Sequence, residues 1–185
     1  MTYSVKNVKT FNSPDGGGYN ASLYLGKNKV ADIHDGGYGG CLEYDWIDTT
    51  IGRTGKINPD PHFEKDFYAF LKTQKIPDFE WSDDEKGFVD IPDVMITPSD
   101  DLFIGNMVND FLNIKRMKSL LSRKVHVSDD GQVFSFKCKS SEIDKTFKFR
   151  EMGGEATFRD FINTKYPKAI ILNDLTTDEA FQLWA

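Results

Sequence analysis

The chain has 185 residues, of which 39% are hydrophobic and 14% aromatic; this excludes overall disorder and is sufficient for a domain with a hydrophobic core. The net charge of −6 disfavours non-specific nucleic-acid binding, which needs a basic field over the phosphates. The absence of any apolar run near the roughly 18 residues of a membrane span, and of a secretory signal at the N-terminus, predicts a cytoplasmic protein that does not bind membranes.

Three strands and two turns are predicted at the N-terminus. The strands lie at residues 3–11, 19–25 and 30–33, and the turns at 13–18 and 26–29. The resulting three-stranded meander leads into the segment Asp32-Ile33-His34-Asp35-Gly36-Gly37-Tyr38-Gly39-Gly40-Cys41. Its four glycines indicate a turn with positive φ or a close approach to the main chain.

Residues 42–60 show no period and predict irregular structure. Asn58 or Asp60 is then expected to cap a helix that has Pro61 in its first turn. An apolar face at i, i+4, i+7 and i+8 supports this helix, which ends before Ile76-Pro77. The members of that face are Phe63, Phe67, Phe70 and Leu71.

Charge is segregated along the second half of the chain. Residues 78–101 contain nine acids and one base, whereas residues 115–150 contain ten bases and four acids. Pro77, Pro92 and Pro98, in and just before the acidic segment 78–98, predict a surface-wrapping segment with short extended pieces.

A long central helix is predicted from Ser99, a favourable N-cap, to about Arg123. Asp100 and Asp101 suit the positive end of its dipole. Its apolar stripe comprises Ile104, Met107, Val108, Phe111, Ile114, Met117 and Leu121.

The remaining elements are short. A hairpin is predicted with arms at 125–127 and 133–138 and a turn at 128–132, and residues 146–150 are expected to extend its sheet. Helices are predicted at 155–165 and from Thr176 or Thr177 to Trp184, the latter with a capping box from Thr176 to Glu179. A brief buried strand lies between them at 169–172.

The order of these elements predicts an α+β fold with antiparallel sheets, one long helix and three shorter ones. We expect a single domain over residues 1–185. Two lobes, 1–77 and 99–185, joined by the acidic segment 78–98, are the alternative.

The glycine turn is the first candidate site, and its loop residues are Asp35, Gly36, Gly37, Tyr38, Gly39 and Gly40. It is interpreted as a structural turn, as a partner-contact loop or as a phosphate-binding nest. Glu43 and Asp45 follow it and would repel a phosphate.

The candidate metal ligands and catalytic residues lie in or near the same region of the sequence. His34, Asp35, Cys41, Asp45 and His62 are legitimate zinc ligand types, but their spacing fits no finger or ribbon. We therefore predict no metal, no cofactor and no catalytic residue, with a nucleotide- or metal-binding hydrolase that uses the His34–Cys41 loop as an alternative. Cys41 and Cys138 are expected to be free thiols, and His126 a packed core residue.

The acidic, aromatic segment is the main candidate for a protein contact. Aromatic anchors and steering carboxylates suit a basic groove on a partner. The proposed contact residues are Asp78, Phe79, Glu80, Trp81, Asp83, Asp84 and Glu85. Direct nucleic-acid binding through the basic region 115–150 is an alternative and would use Lys115, Arg116, Lys118, Arg123 and Lys124.

Three segments resemble a family of small uncharacterised proteins of phages, prophages and plasmids. They are residues 19–27 with the turn 35–40, the helix segment Val108-Asn109-Asp110-Phe111-Leu112, and residues 171–180 with the sequence Leu172-Asn173-Asp174-Leu175. In that family the turn is typically Asn-Asp-Gly-x-Gly-Gly, so His34 and Gly37 are departures.

The resemblance implies an accessory protein of a mobile element. Such proteins often bind and block host machinery, so we expect a non-enzymatic inhibitor of a host protein, for example a CRISPR or other anti-phage defence effector. The partner would be a host protein or a nucleic-acid-binding complex in the bacterial cytoplasm.

Overall fold

The computed structural model describes residues 2–51, 55–82 and 87–184. It confirms an α+β fold, with four α-helices and antiparallel sheets in the described part of the chain. The strands are β1 Tyr3–Ser13, β2 Gly16–Leu25, β3 Asn28–Asp35, β4 Glu43–Trp46, β5 Thr50–Ile51, β6 Lys56–Ile57, β7 Ile76–Ser82, β8 Gly87–Ile96, β9 His126–Asp129, β10 Gln132–Ser135, β11 Thr146–Phe149, β12 Gly154–Thr157 and β13 Ile170–Ile171. The helices are α1 Phe63–Leu71, α2 Asp100–Arg123, α3 Phe158–Lys165 and α4 Thr177–Trp184.

The chain forms two compact units, Met1–Phe111 and Leu112–Ala185. The boundary between them falls within α2. The first unit holds β1 to β8, α1 and the first half of α2, and the second holds the remaining elements.

The largest sheet in the described part of the first unit has four strands in the order β1-β2-β3-β4. The predicted meander is present, but β4 lies where irregular structure was expected. Tyr44 and Trp46 pair with Ile33 and Ala31 of β3, and Trp46 is buried. The alternation of residue types in Glu43–Trp46 is too short to be recognised in the sequence. These residues form a strand because they pair with the free edge of β3.

Helix α1 covers the apolar face of this sheet. Phe67 is fully buried, and its ring packs edge-on to Tyr3 at a centroid distance of 5.2 Å and against Trp46 at 5.8 Å. These contacts place the core of the first unit between the sheet and α1.

The predicted start of α1 is wrong. The helix begins at Phe63 rather than near Pro61, and neither Asn58 nor Asp60 caps it. The carboxylate of Asp48 instead accepts hydrogen bonds from the backbone N–H groups of His62 at 2.6 Å and Phe63 at 2.9 Å.

The acidic segment is more regular than predicted. β7 and β8 form an antiparallel hairpin from Ile76↔Ile96 to Ser82↔Gly87. A two-stranded ladder tolerates proline because each of its strands is an edge strand, on which one side needs no hydrogen-bond donor. A register shift also follows Pro77.

Helix α2 confirms its predicted bounds. The Ser99 hydroxyl accepts a hydrogen bond from the Leu102 N–H at 3.2 Å, which is N-cap geometry. Ile104, Val108 and Met117 of the predicted stripe are buried.

The second unit is built on the three-stranded sheet β10-β9-β13. The predicted hairpin is confirmed; Asp130 and Gly131 form its turn with φ values of 48° and 74°. The predicted brief strand is also present and pairs with β9. The core below this sheet contains Val125, Val127, Cys138, Ile143, Ile162 and Ile171.

Two local predictions in this unit are wrong. Residues 146–149 pair with β12 in a separate hairpin and do not extend the β9 sheet. Helix α3 begins only at Phe158, because Thr157 forms a capping box with Asp160. The capping box of the last helix is confirmed, since Thr176 and Glu179 exchange hydrogen bonds.

No helix in the described ranges is long and apolar enough to cross a membrane.

Candidate functional site

The glycine turn connects β3 and β4 and is held by hydrogen bonds. One carboxylate oxygen of Asp35 accepts the N–H of Gly37 at 2.8 Å, and the Ser13 hydroxyl donates to the Gly37 carbonyl at 3.1 Å. Gly37 and Gly39 have φ values of 73° and 72°, which L side chains rarely adopt. The prediction of a turn with positive φ is confirmed.

The turn packs directly on the glycine run at the start of β2. A Cβ added to Gly37 would lie 2.9 Å from the Gly17 carbonyl carbon, and one added to Gly18 would lie 2.5 Å from the Asp35 carbonyl oxygen. Neither position has room for a side chain. Gly18 and Gly37 are therefore required by the fold, independently of any ligand.

Four glycines of the described chain have no such requirement. Gly17, Gly40, Gly105 and Gly154 lack a positive φ, and a Cβ at any of them would meet no atom within 4 Å. Gly105 lies inside helix α2, where glycine costs about 0.5–1 kcal/mol relative to alanine. The packing of the described residues does not explain why glycine occupies these positions.

Three of these four glycines line the same surface groove. Gly17 comes from β2, Gly40 from the turn and Gly105 from α2, and together they border a cavity of about 460 Å³. Ligand sites commonly have volumes of about 300–1,000 Å³. The missing side chains leave main chain as the wall of this cavity, which we call the glycine groove.

Tyr19 also lines the glycine groove. It is only 9% exposed, and its hydroxyl has no hydrogen-bond partner among the described residues. Burial is the main cause that raises the pKa of Tyr19 to about 12, followed by the charges of Asp35, Asp101 and Asp100. The hydroxyl therefore remains protonated at neutral pH and lies in a negative field.

The carboxylates around Tyr19 are positioned by the fold. Asp101 accepts the Leu42 N–H at 3.2 Å, and this hydrogen bond joins the glycine turn to the first turn of α2. Asp100 accepts hydrogen bonds from the hydroxyls of Tyr44 at 3.2 Å and Tyr68 at 3.1 Å. Burial and Asp100 raise the pKa of both tyrosines, that of Tyr68 to about 12.

No cation compensates these carboxylates within the described part of the chain. Asp35, Asp100 and Asp101 form no ion pair with a described Lys, Arg or His. The positive N-terminal end of the α2 dipole stabilises the negative charges of Asp100 and Asp101. Asp35, at the end of β3, is not in the first turn of a helix. The glycine groove is consequently acidic.

This geometry disfavours a phosphate ligand at the turn. An anion nest needs free backbone N–H groups, whereas the Gly37 N–H is already bound to the Asp35 carboxylate. A phosphate in the groove would also meet the charges of Asp35 and Asp101. One N–H group of the turn is thus already satisfied by the carboxylate of Asp35.

The residues of the hydrolase alternative are not assembled into a catalytic pair. The Nδ1 atom of His34 lies 2.8 Å from Asn20 Oδ1, its ring stacks on Phe11, and no hydrogen bond joins it to Cys41 in the described structure. Among the described residues, no group of three or more His, Cys, Asp or Glu could hold a metal ion. Cys41 and Cys138 are free thiols, as predicted, and Cys138 is buried.

The predicted acidic contact surface is described only in part. Asp78 and Phe79 lie on β7 and are half-buried, and an Asp78 carboxylate oxygen accepts the Phe79 N–H. Asp83, Asp84 and Glu85, together with the side chains of Glu80 and Trp81, lie outside the described residues. The contact role of this hairpin therefore stays a prediction.

The basic residues near the end of α2 are exposed. Lys115, Arg116, Lys118 and Arg123 lie on α2, and Lys124 follows its last residue. Since successive helix residues are rotated by about 100°, the four helical positions fall within about 160° of the helix circumference. Arg123 also donates to the Ser119 carbonyl at the helix end, as expected for a residue that complements the dipole.

The C-terminal segment that carries part of the family resemblance is structural. The Asn173 amide accepts the His126 N–H and donates to the carbonyls of Leu121 and Lys124. Asp174, together with Asp144, holds Arg159. This segment therefore ties the end of α2 to β9 and to α3.

Tyr19, Gly17, Asp101 and Gly105 were not recognised as site residues from the sequence. The sequence predicts Tyr19 only as a residue of a strand, and the presence of Asp101 is accounted for by the positive end of the helix dipole. The sequence signal for this site was that Gly105 lies on the same face of α2 as Asp101, four residues earlier. No protein-family model, curated protein or solved structure is significantly similar to this chain, so the groove is interpreted from its own chemistry.

Proposed function

We propose that this chain is an accessory protein of a phage or another mobile element that binds and inhibits a host protein, such as an effector of anti-phage defence. The observation that supports binding is the glycine groove, in which three glycines that the fold does not require border one acidic cavity. The mobile-element origin and the inhibition rest on the family resemblance. The proposal implies action in the cytoplasm of the bacterial host.

A groove walled by main chain suits a protein ligand. Side chains are missing at Gly17, Gly40 and Gly105, so a partner's backbone can approach closely enough for hydrogen bonding. Extended peptides commonly bind in this way, through main-chain contacts supplemented by a few side-chain pockets.

The acidic hairpin belongs to the same proposal as a second contact surface. Its carboxylates would steer a basic partner, which raises the association rate more than the final affinity. Charge reversal at Asp83, Asp84 and Glu85 should therefore slow capture of the partner. We advance neither the hydrolase nor the nucleic-acid alternative, since no specific observation favours either.

The first experiment compares two glycine substitutions. Gly105→Leu places a side chain in the groove, and Gly154→Leu is its matched control, because Gly154 is equally unconstrained but does not line the groove. Each variant and the wild type are used as bait in lysate of a bacterial host. We expect the wild type and Gly154→Leu to capture the same protein and Gly105→Leu to lose it.

Inhibition is then tested on the captured protein. Its activity is measured with added wild type, Gly105→Leu or Gly154→Leu, and only Gly105→Leu should fail to inhibit. Equal thermal stability of the three baits shows that a loss is not due to unfolding. Equal capture by all three baits, or no capture by any of them, would contradict the proposal.

A further inference from the structure

A serine and a buried histidine form a hydrogen-bonded pair in the second unit. Ser135 lies on β10 and His126 on β9, and the two residues face each other across the hairpin. The Ser135 hydroxyl lies 2.9 Å from the Nδ1 atom of His126. His126 is buried, whereas Ser135 is exposed. The pair therefore joins an exposed serine to an imidazole that is shielded from solvent.

The hydrogen bonds of His126 determine which ring nitrogen carries the proton. Its Nε2 atom lies 3.3 Å from the main-chain carbonyl oxygen of Leu120. A carbonyl oxygen only accepts hydrogen bonds, so in the neutral ring the proton is on Nε2. Nδ1 is then an acceptor, and the Ser135 hydroxyl donates to it. This is the arrangement of a nucleophile, a general base and a third group that orients the base.

Burial keeps the imidazole in the neutral form that a general base needs. Desolvation is the main cause that lowers the pKa of His126; the hydrogen bond to Leu120 opposes this shift, and the charge of Lys124 reinforces it. The ring of Trp184 and the Ser135 hydroxyl, which also contact the imidazole, are uncharged. At neutral pH, His126 is therefore able to accept the serine proton.

The backbone of Ser135 supplies a donor beside its hydroxyl. β10 is an edge strand of the sheet β10-β9-β13, and the Phe136 N–H donates to the carbonyl of Val125, which directly precedes β9. Because successive N–H groups of a strand point in opposite directions, the Ser135 N–H points away from β9. It makes no hydrogen bond in the described structure. The N–H of the nucleophile itself is one of the donors that stabilise an oxyanion in acyl transfer.

We propose that Ser135 is a nucleophilic serine, with His126 as its general base, and that it accepts the acyl group of small activated esters. The Oγ atom of Ser135 bonds to the carbonyl carbon of the ester, its proton passes to Nδ1 of His126, and the bond from the carbonyl carbon to the leaving oxygen breaks. The leaving phenol or alcohol then takes the proton, which gives acyl-Ser135 and neutral His126. This inference is independent of the proposed function and does not involve the His34–Cys41 loop.

The composition of the site limits the class of substrate. The Leu120 carbonyl orients His126 without the negative charge that a carboxylate would supply, so it stabilises the imidazolium less. The single N–H of Ser135 likewise stabilises an oxyanion less than a pair of donors does. Esters with a good leaving group need the least of both kinds of stabilisation. We therefore expect activated esters to react and amides not to react.

The test uses 4-nitrophenyl acetate and the full-length protein. Release of nitrophenolate gives the total rate, and mass spectrometry of the peptides locates each acetyl group. We expect the peptide that contains Ser135 to gain one acetyl group and Ser135→Ala to lose this modification. Ser141→Ala is the matched control, because Ser141 is exposed in the same unit but is not hydrogen-bonded to a described histidine. It should leave acetylation of Ser135 unchanged.

Replacement of the base and the pH profile test the role of His126. We expect His126→Gln to slow acetylation of Ser135 about 100-fold or more, within the range that general-base catalysis contributes. Since His126 is buried, thermal unfolding of the variant shows whether it is folded in the assay. The wild type gives a second readout that needs no substitution. Its rate at Ser135 should rise with pH and level off below the ordinary histidine pKa of about 6.5, whereas acetylation of lysines should keep rising toward their pKa of about 10.4.

Each of three outcomes would overturn the inference: acetylation of lysines without Ser135, equal rates at Ser135 and Ser141, or a rate at Ser135 that rises with pH without levelling off. A folded His126→Gln variant that reacts at the wild-type rate would also overturn it. Capture and inhibition of a host protein are measured without an ester. Failure of the proposed function and failure of this inference are therefore distinguishable.

Discussion

His126 is a buried histidine at the centre of the second unit. It is 2% exposed; its Nδ1 atom lies 2.9 Å from the Ser135 hydroxyl and its ring packs against Trp184. Burial lowers the pKa of His126, an effect opposed by the hydrogen bond to the Leu120 carbonyl and reinforced by the charge of Lys124. The folded protein therefore holds this ring neutral where the unfolded chain takes up a proton.

This shift predicts a pH dependence of stability. Below the unfolded pKa of about 6.5, the unfolded state binds more protons at His126 than the folded state does, so the free energy of unfolding falls as the pH falls. Chemical denaturation of the wild type should show this loss between about pH 7 and pH 5. His126→Gln should show a flatter profile over the same range.

Two carboxylates whose pKa the fold lowers contribute in a more acidic range. Hydrogen bonds from Arg159 and Thr176 lower the pKa of Asp144 and Glu179, respectively, so their stabilisation is lost only at a more acidic pH. An identical slope for the wild type and His126→Gln would refute the assignment to His126.

At the level of the elements, helix α1 depends on a distant carboxylate. Asp48 lies 14 and 15 residues before the two N–H groups whose hydrogen bonds it accepts. Its other carboxylate oxygen is buried and has no hydrogen-bond donor in the described structure. The stabilisation by the cap is thus partly offset by an unsatisfied oxygen.

We predict that Asp48→Ala lowers the free energy of unfolding by about 1 kcal/mol, through loss of the cap. Asp60→Ala is the control, since Asp60 lies close to the helix start but its exposed carboxylate caps nothing in the described structure. Urea denaturation measures both variants. A loss from Asp60→Ala as large as that from Asp48→Ala would show that the cap is not the cause.

The elements that the sequence predicted correctly are those with local signals. Ser99 and Thr176 start their helices because each side chain caps N–H groups within three residues. The start of α1 was missed because the carboxylate that caps it, Asp48, lies outside the local sequence of the helix. The strand β4 was missed because four residues are too few for their alternation to be recognised. Thr146–Phe149 was assigned to the wrong sheet because most of its actual partner, β12, was included in the helix predicted over residues 155–165.

For the molecule as a whole, charge decides which partners are favoured. The net charge is −6, and the glycine groove adds a local concentration of carboxylates without described cations. The basic residues of α2 are exposed and belong to the second unit. A cationic segment of a partner is therefore attracted both by the total charge and by the groove.

Capture of a basic host protein through the glycine groove should consequently weaken with salt. The Debye length falls from about 10 Å at 0.1 M to about 3 Å at 1 M ionic strength, which screens the carboxylates that line an open groove. Asp101→Asn should make the affinity less dependent on salt. Asp110→Asn, an exposed charge on the same helix, should not; binding that strengthens with salt would point to apolar contacts instead.

Sequence patterns were enough to predict the fold class, the long helix from Ser99 to Arg123 and the glycine turn after β3. These features follow from residue periods, caps and backbone freedom, which act over a few neighbouring residues. Tertiary structure alone decided which glycines are structural and which border the groove. It did so by bringing Leu42 and Asp101, 59 residues apart, into hydrogen-bond contact, since only such remote contacts place β2, the turn and α2 around one cavity.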